Sequence, residues 1–289
     1  MYIYGIICHQ LNNPLIHLVN QLSKSSNTLI LLHVDKKCDI KPYLDHFRSN
    51  KKIKFIGNRI NVKWGNYSQI KATLELLKEA LVYDFKYFSL LSGVDILIKD
   101  VFELESSLKT SNKDFIGGVL AEKYEFRVKN LFPEFYFGKE KSFFNKLLCF
   151  SCNLLHRFGF FTQKLENLPK LYYGANWFTI RKNTVDYIIN YIRENPFYEK
   201  AFYHSLCGDE LFFQTIIFNS PLTNEIYENN NSNHDFGKKV LRYIDWKTGP
   251  DYPRVLDESD FDKMKRSGML FARKVNADIA LDVLEKHFK

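Results

Sequence analysis

Residues 68–95, SQIKATLELLKEALVYDFKYFSLLSGVD, decide the fold. Ile70, Leu74, Leu77 and Leu81 recur at four-three-four spacing, which gathers them on one face of a helix over 68–82. Ser68 stands where its hydroxyl can cap the first turn. After a short polar break, an apolar run of strand length over 87–91 stops at Ser92-Gly93. An amphipathic helix feeding a fully apolar strand is the repeating unit of a parallel sheet covered by helices.

The same alternation extends outward. Tyr2–Cys8 and Thr28–Val34 (TLILLHV) read as strands, with 15–22 as a helix between them. Residues 53–56 read as a shorter strand and 115–120 (FIGGVL) as one more. The expected class is therefore α/β, with a mostly parallel central sheet flanked by helices. Ligands of such sheets bind beyond the carboxyl ends of the strands. Two polar clusters fall there, His33-Val34-Asp35-Lys36-Lys37 and Ser92-Gly93-Val94-Asp95. Residues 123–170 mix aromatics with bases irregularly. They are read either as an amphipathic helix on a membrane surface or as an insertion covering the sheet. Residues 225–235 (EIYENNNSNHD) read as a mobile loop. With no repeat and no strong linker, the whole of 1–289 is expected to be one domain.

Composition narrows the partners. The chain has 289 residues, 45% of them hydrophobic, and a net charge of +8. A basic balance suggests an anionic partner: nucleic acid, a phosphorylated ligand or an anionic membrane. The charge is spread out, and neither a basic recognition helix nor aromatic RNA-binding strands are visible, so nucleic acid is not expected. No apolar run reaches 18 residues, which excludes a transmembrane helix from the reading. The opening MYIYGIICH has no basic stretch before its apolar run and reads as a strand rather than a signal peptide. Five cysteines, an odd number, fit reduced thiols in a cytoplasm. Cys149 and Cys152 form a lone C-x-x-C without a second ligand pair, so no zinc site is expected.

Charged side chains supply candidate chemistry. The strand ends carry single aspartates, Asp35 and Asp95, not the paired Asp-x-Asp that commonly holds a divalent metal. Asp257, Asp260 and Asp262 precede a helix-like stretch and read as its capped first turn. Arg254, Lys263, Lys265, Arg266, Arg273 and Lys274 crowd the C-terminal part. They can neutralise a phosphorylated group or form a solvated basic face. Asp209-Glu210 open the apolar run DELFFQTIIF. Acids there favour a helix dipole by about 0.3–1 kcal/mol. Alternatively, Glu210 beside Phe212 and Phe213 has a raised pKa suited to a general base.

Six segments, taken in order, resemble the core-2/I-branching β-1,6-N-acetylglucosaminyltransferases, glycosyltransferase family 14. They are HVDKK at 33–37, WGNYSQIKATLELLKEAL at 64–81, YFSLLSGVDILIK at 87–99, YYGANWFTIRK at 172–182, DELFFQTIIFNS at 209–220 and GMLFARK at 268–274. The resemblance runs from Tyr2 to about Val275 and is poor over about 123–168. It implies a GT-A fold, with a nucleotide-binding half over about 1–122 and an acceptor and catalytic half over about 123–289. It also implies a UDP-sugar donor (N-acetylglucosamine by default), inversion to a β-linkage, and no metal or other cofactor.

The resemblance assigns roles position by position. The family's catalytic base, the Glu of a Pro-Asp-Glu motif, falls on Glu210, with Gly208 in the place of the Pro. Its diphosphate-binding Lys falls on Lys274, beside Arg273. Its diphosphate Arg has Arg254 as nearest match, although the spacing is three residues shorter. An acceptor-contacting Trp falls on Trp246, and Asp209 joins it on the acceptor side. His9 and Asp35 fall in the nucleoside-contacting region. Asp95 resembles the aspartate at the sheet's switch point, near the donor sugar. The alternative reading of Asp35 and Asp95 is as turn residues, and Trp64 and Trp177 read as core rather than as a ligand platform. The missing anchor and few cysteines set the chain apart from Golgi members and imply a bacterial-type, cytoplasmic enzyme, peripheral on the inner face of the membrane. Its acceptor would be a surface-glycan precursor, often lipid-linked. The rival expectation is a non-catalytic nucleotide-sugar-binding or scaffold protein.

Overall fold

Ten strands among the described residues set the frame: β1 (Tyr2–Cys8), β2 (Thr28–Val34), β3 (Ile53–Phe55), β4 (Tyr87–Ser92), β5 (Ile96–Leu97), β6 (Val119–Leu120), β7 (Tyr172–Tyr173), β8 (Thr179–Arg181), β9 (Arg242–Ile244) and β10 (Phe271–Arg273). The structure, a computed structural model, describes residues 1–138, 141–227, 236–249 and 252–288. The polar stretch expected as a loop over 225–235 lies outside them from residue 228 on.

The main sheet has the order β3-β2-β1-β4-β8. Its first four strands are parallel and β8 closes the edge antiparallel. This is the mostly parallel, helix-flanked α/β sheet expected. Side chains alternate along β1, so Ile3 enters one apolar layer while Tyr4 and Ile6 enter the other. The first layer packs Leu74 and Leu77 of the helix Ser68–Ala80 on Phe88 and Leu90. The second packs Leu15, Leu18 and Leu22 of the helix Asn13–Leu22 on Ile30 and Leu32. Burying both faces makes the strands uniformly apolar. The cap of the helix Ser68–Ala80 differs from expectation. Ser68 is already its first helical residue, and its N–H donates to the Asn66 side chain at 2.9 Å.

The expected strand over 115–120 shrinks to Val119–Leu120, because Phe115 makes only an isolated bridge to Thr179. At Gly117-Gly118 the backbone is approached instead by a neighbouring segment. A Cβ on Gly174 would stand 1.9 Å from the Gly117 carbonyl oxygen. Within 123–170 the described residues form a short helix, Phe126–Lys129, a 3₁₀ turn, Glu134–Tyr136, and a longer helix, Phe143–Arg157, with Cys152 and His156 buried and most of its other residues facing out.

The second sheet, β5-β10-β9, joins residues 96–97, just past the carboxyl end of β4, to the C-terminal part of the chain. β10 runs antiparallel to β5 and parallel to β9. Ile96, Leu256, Phe261, Met264 and Ala272 form its own small core. The capped turn expected of that acidic run is present as a capping box between Asp257 and Asp260 at the 3₁₀ turn Glu258–Asp260.

Candidate active site

Strand order reverses between β1 and β4, each extending outward on opposite sides of that pair. A crevice opens at such a switch point, beyond the strands' carboxyl ends. The backbone binds these ends together. The Asp35 N–H donates to the Cys8 carbonyl at 2.8 Å, and Gly93 N–H to that of Ile7 at 3.0 Å. Val275 N–H donates to the Val94 carbonyl at 2.9 Å, which lays the end of β10 beside them. His9, Asp35, Asp95, Arg273 and Lys274 are thereby collected at one edge, although they span almost the whole sequence.

Within that cluster the contacts differ. Asp35 is buried and acts partly as a turn residue, accepting the Lys37 N–H at 3.0 Å. His9 is exposed, and its carbonyl accepts the Cys38 thiol. Asp95 is fully buried and lies 2.8 Å from Arg273 Nη1. The same nitrogen donates to Ser92 Oγ, and Ser92 Oγ in turn donates to Asp95 at 2.6 Å. The Arg273 guanidinium stacks on Trp177, 4.0 Å from the ring centroid. Trp177, read from sequence as core, is thus half-buried beneath a cation, and Trp64 is 50% exposed.

Arg254 lies one strand away. Its Nη2 sits 2.5 Å from Asp260 Oδ2 and 3.6 Å from Asp257, and its Nη1 lies 3.7 Å from Asp245. The Leu256 N–H donates to the Lys274 carbonyl at 2.7 Å, so the Arg254 segment runs beside Lys274. Trp246, 53% exposed, follows Asp245 at the end of β9. Among the described residues, no three His, Cys, Asp or Glu side chains gather in a way that could hold a metal ion.

Asp209 and Glu210 occupy a 3₁₀ turn, Gly208–Glu210, ahead of the helix Phe212–Phe218. The helix-dipole reading of this pair therefore does not describe Glu210. Its carboxylate meets a guanidinium, with Arg127 Nη1 2.5 Å from Glu210 Oε2. Arg127 also lies over Tyr124 and Tyr173, 5.1 and 5.3 Å from their centroids. Burial opposes the charge on Arg127, but Glu210 outweighs it and holds the pKa above its usual value. Desolvation falls most heavily on the neighbouring acid. Asp209 is buried and accepts Gln69 Nε2 at 3.2 Å, and among the described residues its Oδ1 has no hydrogen-bond partner. Burial first, then the charge on Glu210, pushes its pKa up to about 7.

The turn is shaped by its small residues. Cys207 adopts a left-handed conformation, φ 49°, and its N–H donates to the Gly65 carbonyl at 2.7 Å. A Cβ on Gly208 would lie 2.1 Å from Ser205 Oγ and 3.1 Å from the Phe202 ring. Proline, the residue of the resembling motif, has that carbon and does not fit this packing. The turn is anchored again at its far end, where the Gly174 N–H donates to the Glu210 carbonyl at 2.9 Å.

Arg127 was not anticipated. It lies in the stretch where the resemblance fails, and nothing in its local sequence marks it. Only its contacts with Glu210, Tyr124 and Tyr173 identify it.

The structure thus holds an ion-paired carboxylate at Glu210 and, at the carboxyl edge of the main sheet, an arginine, a lysine and two aspartates. A family model described as Core-2/I-Branching enzyme matches residues 4–265, and the chain belongs to that family of glycosyltransferases. No curated protein matches the sequence. Among solved structures, the chain aligns with S. aureus TarS at 15% identity and a TM-score of 0.29, over 38% of this chain and 20% of that one. The 1–349 fragment of S. aureus TarS aligns at 14% identity and the same TM-score, over 38% and 33%. The chain therefore spans a third or less of these proteins. Among the described residues no helix is long and apolar enough to cross a membrane.

Proposed function

We propose that this glycosyltransferase moves a sugar, N-acetylglucosamine in the first instance, from its UDP ester to a hydroxyl of a surface-glycan precursor. The reaction inverts the anomeric centre to a β-linkage and proceeds without a metal. Glu210 takes the proton from the acceptor hydroxyl as that oxygen attacks the anomeric carbon from the face opposite UDP. Lys274 and Arg273 stabilise the departing diphosphate, with Arg254 behind them. Asp35, Asp95 and His9 face the nucleoside and donor sugar, and Trp246 and Asp209 the acceptor.

One observation carries the reading. The stretch 174–177 ties the two halves of the chemistry together, its Gly174 N–H on the Glu210 carbonyl and its Trp177 ring beneath Arg273. Three residue steps span at most about 10 Å, which bounds the distance between the backbone beside the base and the aromatic platform beneath the cation and supports a reading in which one donor reaches both. Arg273 reaches its carboxylate and hydroxyl partners through Nη1, and the reading turns the other edge of the fork toward the diphosphate.

The test is hydrolysis of a panel of UDP-sugars (N-acetylglucosamine, glucose, galactose, xylose) with and without EDTA. Slow turnover of one donor, unaffected by EDTA, is expected and would name the sugar. Loss of turnover with EDTA would overturn the cation mechanism. UDP binding by calorimetry without any turnover, even with acceptors supplied, would favour a nucleotide-sugar-binding protein.

A further inference from the structure

The helix Phe143–Arg157 and the turn after it expose an apolar surface unlike any other among the described residues. Nine of the twenty large hydrophobic side chains exposed among the described residues lie between 143 and 161. Phe143, Leu147, Phe150, Leu154 and Phe158 recur at helical spacing along one stripe, and Phe143 is 86% exposed. The opposite side holds the helix in place, through buried Cys152 and His156 and a hydrogen bond from the Tyr136 hydroxyl to Asn153 Oδ1 at 2.9 Å. Soluble surfaces rarely leave so continuous an apolar stripe in water.

The charges beside it select the occupant. From Lys141 to Leu165 every charged side chain is basic: Lys141, Lys146, Arg157 and Lys164. Lys146 and Arg157, three turns apart on the helix, fall on the same flank of the stripe. Long basic side chains flanking aromatic ones suit the boundary of an anionic bilayer, where the rings enter the acyl region and the ammonium and guanidinium groups stay with the headgroups. A second copy of the chain fits less well. A two-fold contact lays the patch on itself and sets these cations against one another. At fifteen residues the helix is too short to span a bilayer.

We infer that residues 143–161 are a peripheral docking face for an anionic lipid surface. Its placement has a consequence for the enzyme. The Phe161 carbonyl accepts the Leu131 N–H, the Gln163 N–H donates to the Lys129 carbonyl, and Gln163 Nε2 donates to that of Val128. The face is thus bonded to the segment that carries Arg127 and its partner Glu210, and a docked bilayer borders the acceptor side of the site. That consequence rests on the transferase reading above; the docking does not.

Vesicle co-sedimentation tests it, with phosphatidylglycerol-containing and pure phosphatidylcholine vesicles and the full chain. The wild type is expected to sediment with the anionic vesicles and to be released by salt. The triple variant F143S/F150S/F158S is expected to lose roughly tenfold or more of that partitioning while UDP binding stays unchanged. A Phe150→Trp reporter, which preserves the apolar face, is expected to shift its emission to the blue with anionic vesicles only. The inference is overturned if the wild type stays in solution with anionic vesicles, or if it binds neutral ones equally. It is also overturned if the emission of the Phe150→Trp reporter does not move, or if the wild type is a dimer that the triple variant makes monomeric and neither touches lipid.

Discussion

Arg127 and Glu210 form a charge-assisted pair at 2.5 Å, with the guanidinium lying against two tyrosine rings. A base held this way is aimed before any acceptor arrives. Arg127→Lys keeps a positive charge but loses the planar fork and the stacking. We expect it to lower kcat/KM for transfer about 10- to 100-fold while UDP affinity stays within about twofold. Steady-state kinetics beside UDP calorimetry checks this, and unchanged kinetics would remove Arg127 from the site.

Glu210→Gln separates proton transfer from architecture. The amide keeps the shape of the side chain, and its Oε1 can still accept from Arg127. Removing a general base typically costs about 10²–10⁴ in rate, so kcat is expected to fall in that range with UDP binding retained. A variant as fast as the wild type would exclude Glu210 as the base.

The strands and helices around the main sheet were legible because each buries an apolar face whose period shows in sequence, as with Ile70, Leu74 and Leu77. The switch-point aspartates were legible for the same reason, since Asp35 and Asp95 end apolar runs. What stayed hidden depends on contacts between distant segments. Arg127 meets Glu210 across 83 positions, and no local pattern encodes that meeting. The desolvation expected at Glu210 lies at Asp209 because Glu210 stands in a 3₁₀ turn with an ion partner while its neighbour points inward. Helix Phe143–Arg157 was readable as amphipathic, but only its docking through Cys152 and His156 reveals that the apolar stripe faces outward.

Asp209 makes stability depend on pH in the direction opposite to a paired carboxylate. Its folded pKa, about 7, lies above the unfolded value of about 3.9. Between those values the native state holds the proton and the unfolded state has lost it. Its contribution to stability is therefore fully present at low pH, is lost as pH rises from about 4 to about 7, and is level above that. Asp209→Asn abolishes this dependence. Urea melts at pH 5 and pH 8 should show the variant gaining on the wild type by on the order of 2 kcal/mol between them. An equal gap at both pH values would show that Asp209 does not titrate in this window.

Gly174 tests how the site is held. Its missing Cβ leaves room for the Gly117 carbonyl, and its N–H fixes the backbone of Glu210. Gly174→Ala forces these backbones apart, at an expected cost of about 2–4 kcal/mol. Activity should fall further than the loss of folded protein explains, because the Glu210 carbonyl loses its donor. Chemical denaturation and transfer rates on the same preparation distinguish the two. Full specific activity in the folded fraction would show that Gly174 serves packing alone.

Asp95 and Arg273 pose the sharpest choice between structure and binding. A buried pair broken by removing one partner leaves an uncompensated charge and costs about 3–5 kcal/mol. Asp95→Asn keeps the volume and a hydrogen-bond acceptor for Arg273, yet removes the negative charge beside it. If Arg273 serves the diphosphate, the variant should be less stable without UDP and recover part of that loss when UDP binds, since the nucleotide supplies the missing anion. The readout is the rise in Tm on adding UDP, expected to be larger in Asp95→Asn than in the wild type. An equal or smaller rise would mean that Asp95 only holds Arg273 on Trp177, and that Lys274 serves the diphosphate without it.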